Sequence, residues 1–502
     1  MSLSVALQVA QSALAARQSE TSVISRNVSG AQDPGYSRKS VMLSSLVTNS
    51  GQAGGVRVEG VARAANEALY TSLLRSTSSG TAQQAVLDGL SALAVTINDT
   101  ELEMSPAAKL GDLKKSLQAF ASEPNNTILA QSLLSDAQTM AQTLNNASRT
   151  VQETRAKADA DIAASVAKVN RLLDQFEGLN DKIVQGNQIG TDITDALDER
   201  DRVLLSLSEE IGISTLSRAD GDMVITTDSG ITLFETTARA VTFETTFSYA
   251  AGTVGNAVFI DGVPAAGPNA VMELKSGRIK GLADLRDNVA TTYQSQLDEI
   301  ARGLIVAFRE ADQSGGGGPD QQGLFVESAG AGVPVGTNLG LVLPAGLTTG
   351  LASTITINRN ADPDQGGDLD RLRNGGLSDP VNYDYNPANL AGYSDRIQGM
   401  LSGINTSTTF DPNVGLDPTD SVSGFAASSV SWLEARRSAA TNDLEVQSVI
   451  VNRTAENLSN TTGVNIDEEM TRLLDIERAF AAAAKLITTV DRMLDDLMAV
   501  AR

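Results

Sequence analysis

Carboxylates are the side chains of this sequence best placed to do chemistry, and they come in three clusters. Asp362, Asp364, Asp368 and Asp370 surround Gly366-Gly367, a grouping similar to a calcium loop, in which acids face inward around a tight turn. The match fails at the twelfth position, where Arg373 stands instead of the closing glutamate. A solvated loop is the expected structure. Asp467-Glu468-Glu469 is a second metal candidate, but consecutive helical side chains point in different directions and cannot chelate one ion together. With Asn465 ahead of it, the triplet reads as a helix start. Asn465 serves as N-cap, Glu468 as its capping-box partner, and the acids sit at the positive end of the dipole. The third cluster, Asp192, Asp195, Asp198, Glu199 and Asp201, is interleaved with Arg200 and Arg202. It is expected to form the exposed face and start of a helix. A carboxylate-dyad hydrolase would need two of these acids to face one another, and nothing in the spacing singles out a pair.

Other chemistries are missing their residues. The chain has no cysteine and no histidine. Disulfides, thiolate nucleophiles and thiolate-bound metals are excluded, and so is the commonest general base. No G-x-x-x-x-G-K-S/T, G-x-S-x-G or G-x-G-x-x-G occurs. The Gly315–Gly318 run lacks the lysine and hydroxyl that let a glycine loop cradle phosphate. Lys and Arg number 38 against 61 Asp and Glu, a net charge of −23. That balance opposes binding to nucleic acid and to anionic membranes. No run of 18 apolar residues could span a bilayer. The first positive charge is Arg17, with no basic region leading into an apolar core. A cytosolic protein, or one exported without a cleaved signal, is therefore expected. No catalytic, cofactor-binding or metal-ligating residue is expected, and no small-molecule substrate.

What positions these residues is mostly helix. At 502 residues the chain exceeds one core, so two to four domains are expected. Aromatics are scarce (11 Phe, 7 Tyr, 1 Trp), which leaves Ala, Leu, Val and Ile to build closely packed helical bundles. Both ends carry apolar or small residues at alternating spacings of four and three. The N-terminal set is Leu3, Leu7, Ala10, Leu14, then Thr21, Ile24 and Val28. The C-terminal set is Leu473, Ile476, Phe480, Ala483, Ile487, Val490, Leu494 and Leu497. Such a repeat is the a/d seam of a coiled coil. The pattern serves an ordinary bundle core and an intersubunit seam equally well.

The first helix should stop at Gly30, before the turn Asp33-Pro34-Gly35-Tyr36. Extended segments at Ser40–Val47 and Val56–Val61 follow. A helix from about 127 to 187, after the Pro124-Asn125 break, would be a strut roughly 90 Å long at 1.5 Å per residue. From about 211 the period becomes two, among Thr, Ser and Gly, and predicts a β-rich insert. A second Gly/Pro/Asp-rich segment holds one clear strand, Ser353–Asn358. The expected fold is mainly α with β-rich inserts (α+β, multidomain). Residues 1–62 with 458–502 would form a terminal coiled-coil domain. Residues 63–210 with 276–312 and 400–457 would form a helical rod-like domain, and 211–275 with 313–399 the β-rich outer part.

Two short segments resemble a known family. Ile24 through Arg38 is similar to the N-terminal signature of bacterial flagellar rod, hook and hook-associated proteins, matching at Asn27, Pro34, Gly35, Tyr36, Ser37 and Arg38. Asp33 replaces the usual Thr, and Gly30 a common second Asn. Gly463-Val464-Asn465-Ile466-Asp467-Glu468-Glu469-Met470, continuing through Phe480, Ile487 and Asp491 to Asp495, resembles the C-terminal signature of the first hook-associated proteins, the family at the hook–filament junction. Residues 281–298 are similar as well. The middle (211–275 and 313–400) shows no similarity.

The resemblance implies a non-enzymatic axial subunit of the flagellum that joins hook to filament and polymerises through its terminal helices after type III export. It further implies self-assembly into a helical tube, contacts with the hook protein and a second junction hook-associated protein, and a cytosolic export chaperone bound to the C-terminal helix. The protein would reside in the cytoplasm before export and outside the cell in the flagellum afterwards. Assembly would engage Leu3, Leu7, Leu14, Ile24, Asn27, Val28, Pro34, Gly35, Tyr36 and Arg38 at one end. At the other it would engage Asn465, Asp467, Glu468, Glu469, Leu473, Ile476, Phe480, Ile487, Val490, Leu494 and Leu497. The alternatives are another axial protein, of the hook or distal rod, and a non-flagellar coiled-coil scaffold.

Overall fold

A computed structural model describes residues 3–47, 53–97, 103–327 and 340–500. Helix α1 (Leu3–Gly30) leads into an antiparallel hairpin of β1 (Lys39–Val47) and β2 (Ala53–Arg63), in register from Lys39 opposite Arg63. Helix α2 (Glu67–Leu93) is started by Asn66, whose side chain accepts the Leu69 amide. Helix α3 (Pro106–Ser122) has Ser105 as N-cap and proline in its first turn, where a missing N–H costs nothing. Helix α4 (Thr127–Ile189) runs 63 residues, from an Asn126 cap to Gly190, whose φ of 69° ends it in the left-handed region. Helix α5 (Thr194–Glu210) follows.

Two three-stranded antiparallel sheets come next. The first holds β3 (Ile213–Ser217), β4 (Met223–Thr227) and β5 (Thr232–Phe234); the second holds β6 (Val241–Thr242), β7 (Val258–Ile260) and β8 (Val263–Ala266). Helix α6 (Arg278–Asp284) joins α7 (Ala290–Ala307) through a π turn at Leu285–Val289. Strands β9 (Phe325–Glu327) and β10 (Ile355–Ile357) pair as a short ribbon. The last helices are α8 (Asp395–Asn405), α9 (Val422–Thr462) and α10 (Ile466–Val500). None of the described helices is long and apolar enough to cross a membrane.

The strut α4 serves two cores in series. Leu133, Met140, Leu144 and Val151 pack with α3, α7 and α8 in the first. Ile162, Val169, Leu173 and Phe176 pack with α5, α6 and the two sheets in the second. A buried polar belt divides them. Arg286 pairs with Asp159 at 2.7 Å, while Arg155 donates to the carbonyls of Arg286, Ala250 and Thr253. These bonds lash the loop between β6 and β7 to the strut.

The segment 313–399 departs from its expected β-rich character. Its described residues contain only the β9–β10 ribbon as named strands, with the rest in turns and short helices. The cause lies in its Asp and Asn residues. The side chains of Asp312, Asp362, Asp368, Asp379 and Asp384 each accept a backbone amide two residues on, which closes turns in place of sheet ladders. The strand expected at Ser353–Asn358 is shortened for a related reason. Asp298 of α7 accepts the amides of Gly350 and Ala352, each at 2.8 Å, and Leu351–Thr354 curls into a helical turn.

The chain's two ends pack on each other, α1 against α10. On α10 the buried residues Ile476, Ala483 and Val490 recur every seven positions, with Leu473, Ile487 and Leu494 half-buried alongside. On α1 the buried apolar residues are Ala10, Ala16, Val23 and Ile24.

Candidate assembly joint

The matched signature residues converge where α1, the hairpin, α5 and the start of α10 meet. After Gly30 the chain turns, with the Asp33 side chain accepting the Gly35 amide (2.9 Å) and the Asp33 carbonyl accepting that of Tyr36 (3.0 Å). The turn folds the Tyr36 ring back over Gly30 so closely that a Cβ there would lie 2.6 Å from the ring. Asn27, fully buried, is the hub. Its Oδ1 accepts the Tyr36 hydroxyl (3.0 Å) and the Lys39 amide (2.9 Å). Its Nδ2 donates to the Lys39 carbonyl (2.9 Å) and to Glu469 Oε2 (3.0 Å). All of its side-chain hydrogen-bonding capacity is used. The Tyr36 phenol is pushed up to about 12, chiefly by burial.

The start of α10 completes the joint. Asn465 caps as expected, its side chain accepting the amides of Asp467 (3.0 Å) and Glu468 (3.4 Å). The reciprocal half of the capping box goes elsewhere, because Glu468 pairs with Arg472 (2.8 Å) and Arg38 (3.5 Å). Arg38 also donates its amide to the Thr462 carbonyl at the end of α9 (2.8 Å). Glu469, only 1% exposed, turns inward to Asn27.

The acidic cluster at the start of α5 is only in part the solvated face expected of it: Asp192, Asp195 and Glu199 are exposed, but its other members turn inward. Asp198 and Arg200 are buried. Lys39, with its side chain fully enclosed, contacts Asp195 and lies 3.4 Å from Asp198. Arg63 reaches Asp198 (3.2 Å) and Asp201 (2.6 Å), and Arg26 reaches Asp192 (2.9 Å). Burial alone would raise the Asp192 carboxyl; hydrogen bonds from Thr194 and Arg26 outweigh it and hold the group below the usual carboxylate range. Lys39, Arg26, Arg63 and the α5 acids are the joint residues that sequence reasoning missed. Their one available signal is the spacing of three between Asp192, Asp195, Asp198 and Asp201, which makes successive acids neighbours at the start of α5 but turns them progressively around it.

The remaining expected residues are spread along the ends. Ile24 is buried, with Leu7, Leu14 and Val28 half-buried on α1. Pro34 is exposed at the turn, while Gly35 lies against the Arg202 side chain. Asp467 is exposed. Phe480 remains 44% exposed despite its seam position. The side chains of Leu3 and Leu497 lie outside the described residues. Asp362 is a buried turn former bonded to Asp364, Gln365 and Gln138, and its neighbours Asp364, Asp368 and Asp370 are solvated. Among the described residues no group of three or more acids is arranged to hold a metal.

This geometry agrees with what the chain is similar to. The model of the flagellar hook-associated protein FlgK helical domain matches residues 90–325, and that of the flagellar basal body rod FlgEFG protein C-terminal region matches 457–500. Flagellar hook-associated protein 1 of Bacillus subtilis is 23% identical over an alignment covering 98% of this chain and 97% of that protein. The protein of the same name from Escherichia coli is 24% identical over 61% of this chain and 56% of its own length. A solved structure, the flagellar hook junction protein FlgK from Burkholderia pseudomallei, shares the fold with a TM-score of 0.55 at 13% identity, covering 77% of this chain and 99% of that one. A mainly helical chain with small β inserts, its two ends bonded together by flagellar signature residues, is thus similar in sequence and in fold to the FlgK flagellar hook-associated proteins.

Proposed function

We propose that this protein is the structural, non-enzymatic subunit that joins the flagellar hook to the filament, and that it polymerises through α1 and α10 after type III export. The observation that carries the reading is the apolar surface left on α10. Its buried contact with α1 is a single stripe, yet Met470, Leu474, Phe480, Leu486 and Met493 are exposed on its other sides. The body meanwhile keeps its own closed cores. A helix with that much uncovered apolar surface calls for further copies around it. Repeated contacts between unlike faces, when they do not close into a ring, build a helical tube.

In this reading residues 1–62 with 458–502 form the inner layer. Residues 63–210, 276–312 and 400–457 form the helical shell, and the inserts at 211–275 and 313–399 lie outside. The partners are further copies of this chain, the hook protein, a second junction hook-associated protein, and a cytosolic export chaperone that covers the α10 stripe before export. The protein would be cytoplasmic before export and part of the flagellum outside the cell afterwards. Electron microscopy of a deletion strain tests the proposal. Intact hooks without filaments, with unpolymerised flagellin in the medium, are expected. Loss of the hooks would instead indicate a hook or rod subunit, and normal filaments a non-flagellar scaffold.

A further inference from the structure

We propose that the acids at the start of α5, with Asp192 just before it, are a register ladder that positions the N-terminal segment on the body of the chain, with Asp198 as its shared rung. The rungs Asp192, Asp195, Asp198 and Asp201 follow one another every three residues. Three bases meet them in chain order, one from each successive element. Arg26 of α1 spans Asp192 (2.9 Å) and Asp195 (3.9 Å). Lys39 of β1 spans Asp195 and Asp198. Arg63 of β2 spans Asp198 (3.2 Å) and Asp201 (2.6 Å).

Isolated surface pairs hold little, and Asp195 is itself 76% exposed, but the centre of the ladder is enclosed. The Lys39 side chain is 0% exposed and that of Asp198 is 1%. A slip of one helical turn would leave a base unpaired at one end of the ladder and a rung empty at the other. A buried, unpaired charge is strongly disfavoured, so the ladder selects one register. Asp198 is the only rung that two enclosed bases share. Asp192 and Arg26 form the half-exposed end of the ladder. The importance of this register for assembly rests on the reading of α1 as a polymerising element; the positioning itself does not.

Hydrogen–deuterium exchange on the isolated full chain tests it. Asp198→Asn is expected to speed amide exchange in residues 39–47 and 53–63 by about tenfold, as local opening does, while exchange in α7 stays unchanged. Asp192→Asn should leave both regions at wild-type rates. Arg63→Gln should behave like Asp198→Asn, and Arg63→Lys, which keeps the charge, should retain wild-type protection. If Asp198→Asn does not fold, the two Arg63 variants decide in the same way. Unchanged exchange in the hairpin would overturn the proposal, as would an equal rise in α7, an Asp192→Asn effect as large as that of Asp198→Asn, or failure of Arg63→Lys to protect. The filament phenotype plays no part in this readout, so the ladder and the junction role stand or fall separately.

Discussion

Asn27 Nδ2 lies 3.0 Å from Glu469 Oε2, although 442 positions of sequence separate the two residues. The bond is buried, one partner is charged, and the same Asn27 side chain holds both the Tyr36 hydroxyl and the Lys39 backbone. Asn27 is therefore the point at which the two ends of the chain become one structural unit. Four hydrogen bonds converge on a side chain with no other freedom.

Replacing Asn27 tests that role. Asn27→Ala strands the buried Glu469 carboxylate, whose remaining ionic contact is Arg472 at 3.6 Å. A loss of about 3 kcal/mol is expected, the scale for breaking a buried charged contact. Asn27→Asp should be at least as damaging, because it sets a second carboxylate where Glu469 needs a donor. Urea unfolding followed by a probe on α10 checks the magnitude. Wild-type stability in either variant would remove Asn27 from the joint.

Gly30 and Gly35 make a matched pair of probes. A Cβ at Gly30 would meet the Tyr36 ring at 2.6 Å, and one at Gly35 would meet the Arg202 side chain at the same distance. The ring is pinned by its hydroxyl to Asn27, whereas Arg202 is half-exposed and can swing away. Gly30→Ala should therefore cost about 1–3 kcal/mol, the range for overpacking, and Gly35→Ala much less. Thermal unfolding of the two variants gives the comparison; equal losses would contradict the pinned ring.

Alkaline pH should loosen the same joint. The Tyr36 phenol is raised to about 12, mainly by burial, from an ordinary value of 10.0. A raised value means that the stability contributed by the neutral hydroxyl is fully present below pH 10. It is lost as the pH rises toward 12, because the unfolded chain releases its proton first. Absorbance titration at alkaline pH should show a late-titrating tyrosine that Tyr36→Phe removes. Tyr249, also near 12, should persist in the variant as an internal reference.

Much of the architecture was legible in the sequence because it rests on periodicity. Helical periodicity marks α4 and α10, and the change to period two at about 211 marks the two small sheets. The joint was only half legible. Asn27, Tyr36 and Glu469 belong to recognisable signatures, but the α5 acids do not. A helix face of alternating Asp and Arg reads the same whether it meets water or three bases from more than 130 positions away. The 313–399 segment failed for a different reason. Its isolated apolar residues are strand-like, but side-chain-to-backbone bonds from its aspartates close turns first. Spacing likewise gave Phe480 and Ile476 the same status, and the fold separates them.

That separation supplies the sharpest test of the terminal helices. Ile476 is 8% exposed against α1, and Phe480 is 44% exposed. Ile476→Asp puts a charge into a contact that already exists within one chain. It should detach α10 from α1 in the isolated protein, at a cost of several kcal/mol. Phe480→Asp should leave the isolated chain within about 0.5 kcal/mol of wild type, as substitutions at exposed sites do. If neighbouring copies cover Phe480 in the tube, the same substitution should still abolish filament attachment, because the charge is then buried between chains. Unfolding curves on the purified variants, together with motility of cells carrying them, read both effects. A Phe480→Asp strain that swims normally would show that this side of α10 faces solvent in the flagellum, and the exposed apolar surface on which the junction reading stands would need another explanation.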